Sequence, residues 1–229
     1  MQQAPLLSAL PSLRALAIDF ADGDDIFSVH SEQEQAIASL TNLTRLALYE
    51  ADMDYESFAT AIQPLSRLKE LRLPPSGPIG KALANLPRGL TALQMSVCKG
   101  EGDDMRQCMQ GLPPGLMKLW LRREDGQTVL PYLGSMLSGA PNLVVLVLED
   151  FPAVDAGDLL AAIEPLTRLE RIYTCECTIY GEYDDEVLPL EFARRWMRQR
   201  RHPGGHVIPF EHGEGLQFRQ LQEDFWEVV

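Results

Sequence analysis

The sequence is poor in cysteine and in positive charge, and it contains no long run of apolar residues. Its 229 residues include 4 cysteines, and 20 lysines and arginines stand against 33 aspartates and glutamates, which gives a net charge of −13. This surplus of negative charge argues against a nucleic-acid partner, because the phosphate backbone is itself negative. No stretch approaches the roughly 20 apolar residues of a membrane-spanning helix, so no membrane partner is predicted.

The N-terminal segment lacks the basic and apolar regions of a secretory signal, which predicts an intracellular, cytoplasmic location. Cys98, Cys108, Cys175 and Cys177 form no C-x-x-C pair. That pattern is typical of thiols in a reducing compartment. The two-residue spacing of Cys175 and Cys177 leaves open whether they form a disulfide bond.

Sequence motifs of catalysis and of metal binding are also missing. The chain has no G-x-S-x-G, no H-E-x-x-H and no dinucleotide-binding fingerprint. His202 and His206 have the H-x3-H spacing of a zinc site, but Pro203 and two glycines interrupt the helix that would align them. We therefore expect a protein that is not an enzyme and that holds no cofactor and no metal.

Leucine, in contrast, is abundant and periodic. The chain contains 35 leucines, about twice the average share. A pattern close to L-x-x-L-x-L occurs seven times, and its copies begin at Leu13, Leu43, Leu68, Leu90, Leu116, Leu143 and Leu169, at intervals of 22 to 30 residues. The L-x-L part alternates with period two, which predicts a short strand with one face buried.

Segments with the apolar spacing of a helix lie between these copies. Two of them are the stripe Phe58, Ala59, Ile62 and Leu65 and the stripe Leu159, Leu160, Ile163 and Leu166. A strand followed by a helix at such intervals is a repeating unit that cannot bury its own apolar face, so consecutive units have to stack.

The chain resembles the leucine-rich repeat proteins over residues 10–186. Its longer units, such as LTRLALYEADMDYESFATAIQPL, are similar to the ribonuclease-inhibitor-like and cysteine-containing subclasses, which carry a full helix in each repeat. Cys98 and Cys177 occupy the position at which the family places Asn or Cys to cap the inner turn. The resemblance implies an α/β solenoid, or horseshoe, of about seven strand–helix repeats with a parallel concave sheet and a C-terminal cap.

Two parts of the chain are expected. Residues 1–186 are predicted to form the solenoid, and residues 187–229 are predicted to form a C-terminal helix and a capping tail. LPLEFARRWMRQRR has the pattern of an amphipathic helix, and the tail ends in DFWEVV. Only nine residues precede the first repeat, a thin cap, which predicts either a fragment of a longer chain or an end covered by another surface.

The resemblance also implies a module that binds a protein through the concave face of its sheet. The x residues of each strand point away from the leucine core, and in mid-strand they are Ala17, Ala47, Arg72, Gln94, Trp120, Val147 and Tyr173. Trp120, Val147 and Tyr173 are neighbours on consecutive strands, and an aromatic centre with a charged rim has the composition of a binding hot spot. The predicted contact residues are Trp120, Tyr173, Val147, Tyr49, Arg72, Lys118, Arg122, Glu149 and Arg171.

Other interpretations remain open at this point. Trp120 can instead pack against neighbouring side chains, or a C-terminal segment that folds back can cover it. The same fold also suits the substrate-recognition part of a ubiquitin-ligase adaptor or a bacterial effector, and it suits a structural subunit of a larger assembly. In each case the expected partner is a protein, whose identity the sequence does not give.

Overall fold

Seven parallel strands, one from each leucine repeat, form a single sheet in the computed structural model of the chain. The structure describes residues 7, 10–19, 31–49, 53–74, 80–97, 112–123, 133–151, 154–175, 177, 179–180 and 225. The strands are β1 (Ala15–Asp19), β2 (Arg45–Tyr49), β3 (Glu70–Arg72), β4 (Ala92–Val97), β5 (Lys118–Arg123), β6 (Val145–Glu149), β7 (Val154–Asp155), β8 (Arg171–Cys175) and β9 (Ile179–Tyr180). The large sheet has the order β1-β2-β3-β4-β5-β6-β8, and β7 pairs with β9 in a small sheet of its own.

Helical segments connect several of the strands, as the apolar stripes predict. They are α1 (Ser31–Ala38), α2 (Tyr55–Ile62), a 3₁₀ helix (Gly80–Asn85), α3 (Leu133–Leu137) and α4 (Ala156–Ile163). The side chains of Asp54 and Asp155 cap α2 and α4, since each accepts a hydrogen bond from a main-chain N–H of the first turn. Both predicted stripes are buried against the sheet, which confirms the strand–helix unit.

The main core lies between the sheet and the helices. The first leucines of the second to seventh copies are at most 1% exposed, and the L-x-L leucines of the central strands are buried beside them. At the β1 end of the sheet, Leu13, Leu16 and Ile18 pack against the core but are only half-buried. The core is therefore continuous along the repeats and thinnest at β1.

A series of shared carbonyl groups joins the repeats at the turn before each strand. The carbonyl of Arg14 accepts hydrogen bonds from the N–H groups of Thr44 (2.7 Å) and Arg45 (3.0 Å). In every copy but the last, the carbonyl of the residue after the first leucine accepts two such hydrogen bonds from the next repeat. These residues are Arg14, Thr44, Lys69, Thr91, Met117 and Val144. Because each turn bonds the next in the same way, the strands start level with one another.

Two asparagines extend these links through side chains. Asn42 donates to the carbonyl of Pro11 (2.9 Å) and accepts from Arg67 (2.7 Å), so it touches the repeat before it and the repeat after it. Asn142 repeats the arrangement with Pro114 (3.0 Å) and Arg168 (3.2 Å). The matching geometry follows from matching positions, since both asparagines directly precede the first leucine of a copy.

We expect Asn142→Ala to lower the free energy of unfolding by about 1 kcal/mol, because two hydrogen bonds at a partly exposed site are lost. Chemical denaturation followed by circular dichroism measures the change. The control is Thr167→Ala, an exposed residue in the neighbouring turn, which we expect to stay within about 0.5 kcal/mol of the wild type. Equal stability of the two variants would contradict a role for Asn142 in joining the repeats.

Candidate functional site

The x residues of the seven strands form continuous rows on the sheet face opposite the main core, which we call the concave face. The pairing register aligns the mid-strand row as predicted: Ala17, Ala47, Arg72, Gln94, Trp120, Val147 and Tyr173 are successive Cα partners. The level start of the strands sets this alignment. A slip of one strand by one residue would move its side chains to the opposite face.

The concave face has an open half and a buried half. The open half comprises β1 to β3, whose concave residues are exposed or half-buried except Glu70, and β1 and β2 alternate between core and surface. In β4, β5 and β6 every concave residue except Arg122 is at most 9% exposed. Strands buried on both faces are typical of parallel sheets with cover on each side, so the second half of this face is not a bare surface.

An apolar cluster lies at the centre of the buried half. We call it the Trp120 cluster, and it consists of Ala92, Trp120, Val145, Val147, Tyr173 and Phe225. The rings of Trp120 and Phe225 meet edge to face, with centroids 5.4 Å apart and planes at 81°. Trp120 is fully buried and Phe225 is 3% exposed. A residue far along the chain from the repeats therefore belongs to the concave face.

Polar side chains hold this cluster from two sides. The buried Lys118 Nζ donates a hydrogen bond to the carbonyl oxygen of Phe225 at 2.6 Å, across 107 residues of sequence, and lies 5.6 Å from the centre of the Phe225 ring. Trp120 Nε1 donates to Glu149 Oε2, also at 2.6 Å. Both hydrogen bonds pair buried polar groups, which would destabilise the fold if they were buried without a partner.

Two carboxyl groups on the concave face have raised pKa values. Burial is the main cause for Glu149, whose pKa lies above the ordinary 4.5 although the Trp120 hydrogen bond and the charge of Arg122 oppose the shift. Burial likewise raises the pKa of Glu70, which Arg45 (3.1 Å) and the charge of Lys118 partly oppose. Both groups therefore hold a proton more firmly in the folded chain than in the unfolded one.

Two accessible arginines of the concave face, one on β3 and one on β5, have aromatic or acidic partners. The guanidinium carbon of Arg72 lies 4.3 Å from the centre of the Tyr49 ring, within the range of a cation–π contact. Arg122 Nε lies 3.0 Å from Asp150 and 3.7 Å from Glu149. Asp150 has a φ of 61°, in the left-handed region that aspartate tolerates better than most residues. Its carboxylate accepts a hydrogen bond from Arg122 Nε.

The structure separates the nine predicted contact residues into two groups. Trp120, Tyr173, Val147, Lys118 and Glu149 are buried, whereas Arg122 and Arg171 are exposed and Tyr49 and Arg72 are half-buried. The contact between Trp120 and Phe225 agrees with the interpretation in which a C-terminal residue covers the tryptophan. Binding of a protein by these nine residues stays a prediction.

Sequence reasoning missed Ala92, Glu70 and Phe225 as parts of this face. Ala92 and Glu70 stand at strand positions that the alternation already places there. For Phe225 the sequence offers only the aromatic pair in DFWEVV, and no sequence pattern indicates that it contacts Trp120. The predicted helix in residues 187–229, Cys98, Cys108, His202 and His206 lie outside the described residues. Cys177 is buried, with Sγ 3.3 Å from the carbonyl oxygen of Leu148 in the preceding repeat.

The described part of the chain has neither a metal-ligand cluster nor a membrane-spanning helix. It contains no group of three or more His, Cys, Asp or Glu side chains that could hold a metal ion. Within the same residues, no helix is long and apolar enough to cross a bilayer.

Comparison with solved structures identifies the fold. Human 5T4 (Wnt-activated inhibitory factor 1, trophoblast glycoprotein) is similar at a TM-score of 0.54 and 16% identity, over 90% of this chain and 82% of that one. The leucine-rich repeat-containing protein LegL7 from Legionella pneumophila matches 92% of this chain over 97% of its own, at 13% identity and a TM-score of 0.47. Internalin C2 from Listeria monocytogenes matches 76% over 66% of its own, at 18% identity and 0.47. No protein-family model and no curated protein sequence matches the chain.

Replacing Glu149 by Gln should make the fold less sensitive to pH. Because the folded-state pKa of Glu149 is raised, its share of stability is complete below the unfolded value of 4.5 and is lost as the pH rises through the folded value. Glutamine can still accept from Trp120 but needs no buried charge, so Glu149→Gln should raise the unfolding midpoint at about pH 8 and match the wild type at about pH 4.

Thermal unfolding across this pH range measures the effect. The control is Glu170→Gln, which removes the same charge at an exposed position. A Glu149→Gln variant that is less stable than the wild type at about pH 8 would show that the carboxylate is held favourably as an ion.

Proposed function

We propose that this chain, a leucine-rich repeat solenoid, is a non-enzymatic module that binds a protein partner with the concave face of its sheet. The observation that carries the proposal is the composition of that face. Its accessible residues include side chains suited to contact, Tyr49 and four arginines, on a parallel sheet, and its centre accommodates an aromatic ring beside Trp120. Aromatic and arginine side chains are the residues enriched in protein interfaces.

The rigidity of the face supports this function. Each strand between β1 and β8 in the large sheet is paired with a neighbour on both sides, and the shared carbonyls of the turns link consecutive repeats. The Tyr49 and Arg72 side chains also restrain each other, because Arg72 Nη1 donates a hydrogen bond to the Tyr49 hydroxyl at 3.4 Å. Side chains that are ordered before binding lose little freedom on binding, so more of the contact energy remains as affinity.

Chemistry on a substrate is not part of the proposal. Glu149 and Glu70 have raised pKa values, but both carboxyl groups are buried and engaged with Trp120 or Arg45. An intracellular location stays a prediction, as does a partner that is a protein.

The double variant Tyr49→Ala/Arg72→Glu should lose the partner. Both side chains lie in the open half of the face and contact each other. Their replacement therefore removes the tyrosine ring and reverses the charge at position 72. We expect affinity purification with the full chain as bait, read by quantitative mass spectrometry, to recover the specific partner at least about tenfold less than with the wild type.

The matched control is Arg88→Glu, the same charge reversal on an exposed arginine in the turn before β4. Circular dichroism confirms that the variants are folded. If the double variant and the control recover the same partners as the wild type, binding occurs elsewhere and the concave face is not the contact surface.

A further inference from the structure

We propose that the partner presents an acidic segment with an aromatic residue, and that Phe225 is an intramolecular stand-in for that residue. In this view the Trp120 cluster is the specificity site of the concave face, and the chain's own Phe225 competes with the partner for it. The inference rests on the proposed function, because it names the chemistry of the partner and adds a self-blocking contact.

The shape of the cluster selects one aromatic ring. Five of its six members come from four neighbouring strands, and only Phe225 comes from outside the repeats. The Phe225 ring meets Trp120 edge to face, an arrangement in which the positive edge of one ring faces the negative surface of the other. Any aromatic side chain that reaches the same place can make this contact.

The polar contacts do not depend on the sequence of the occupant. Lys118 binds the main-chain carbonyl of Phe225, a group that every protein segment offers. Gln94, the register neighbour of Trp120, is 6% exposed, and within the described residues no donor reaches its Oε1. A partner segment that supplies a main-chain N–H to this oxygen would gain a hydrogen bond that Phe225 does not provide.

The charge of the face selects an acidic segment. Its exposed or half-buried charges are mostly arginines, namely Arg45, Arg72, Arg122 and Arg171, with Asp19 at the β1 end and Asp150 beside Arg122. The carboxyl groups Glu70 and Glu149 are buried. In the sequence, Glu223, Asp224 and Glu227 surround Phe225. The occupant thus comes from an acidic aromatic stretch, EDFWE, opposite in charge to the accessible side chains.

Competition follows from the covalent connection. An occupant on the same chain acts at an effective concentration on the order of millimolar, so a free segment with equal contacts is largely excluded. A partner must make additional contacts, such as those at Tyr49 and Arg72 in the open half, in order to displace Phe225. Removal of the Phe225 side chain should therefore expose a site for free peptides.

The test uses the full chain and a fluorescent synthetic peptide of residues 219–229, RQLQEDFWEVV. Fluorescence anisotropy should give a Kd for Phe225→Ala that is at least about tenfold lower than for the wild type. Two matched peptides test the chemistry: one carries Ala in place of the Phe, and one carries Gln and Asn in place of Glu and Asp. Each should bind Phe225→Ala at least about tenfold more weakly than the parent peptide.

Circular dichroism establishes whether Phe225→Ala is folded. If it is not, Phe225→Leu keeps apolar bulk in the cluster without the ring, and it should bind the parent peptide several-fold more tightly than the wild type does. Equal binding to wild type and variant, no binding to a folded variant, or no dependence on the peptide's Phe or its carboxylates would overturn the proposal. Loss of folding in both variants would also overturn it, because Phe225 would then be a fixed part of the core.

The result is independent of the partner experiment. If Tyr49→Ala/Arg72→Glu loses a partner while the free peptide binds the Phe225 variants no more tightly than the wild type, the concave face binds protein and the proposed competition by Phe225 is wrong. If peptide binds as expected but the double variant keeps its partners, the Trp120 cluster is a peptide site and the open half is not the contact surface.

Discussion

The fold depends on one constraint, which is that the leucines of each repeat can be buried only against the repeats on either side. The shared carbonyls before each strand impose this stacking, since Arg14 and its five equivalents bond the next turn in the same geometry. The lengths between repeats differ, yet the strands stay level because the differences fall in the connecting segments. Placement of the leucines on one face then leaves every x residue on the other.

The sequence was sufficient to predict the strands, the helical stripes and the concave row, because each depends on a local period. Period two places Trp120, Val147 and Tyr173 on one face whatever the rest of the chain does. It could not show that this face is half buried. Phe225, which contacts Trp120, is 107 residues from Lys118, and no periodicity links two such positions.

One signal of the second apolar layer was nevertheless present in β6. Its sequence VLVLE has valine at both concave positions before Glu149, the near-continuous apolar pattern of a parallel strand covered on both sides. Glu149 and Lys118 were expected at a charged rim in water. Both instead satisfy buried partners, the indole of Trp120 and the carbonyl of Phe225, so their polarity serves the inside of the cluster.

The strands of the sheet are buried to different extents, and this difference determines where partial unfolding begins. In a solenoid, each repeat is stabilised chiefly by its nearest neighbours, so partial unfolding can advance from one end as a moving boundary. The half-buried Leu13, Leu16 and Ile18 make β1 the weakest point of the described sheet, whereas β4 to β6 are enclosed on both sides. Amide protons in β1 should exchange first, and a ligand across β1 to β3 would slow the step with which unfolding begins.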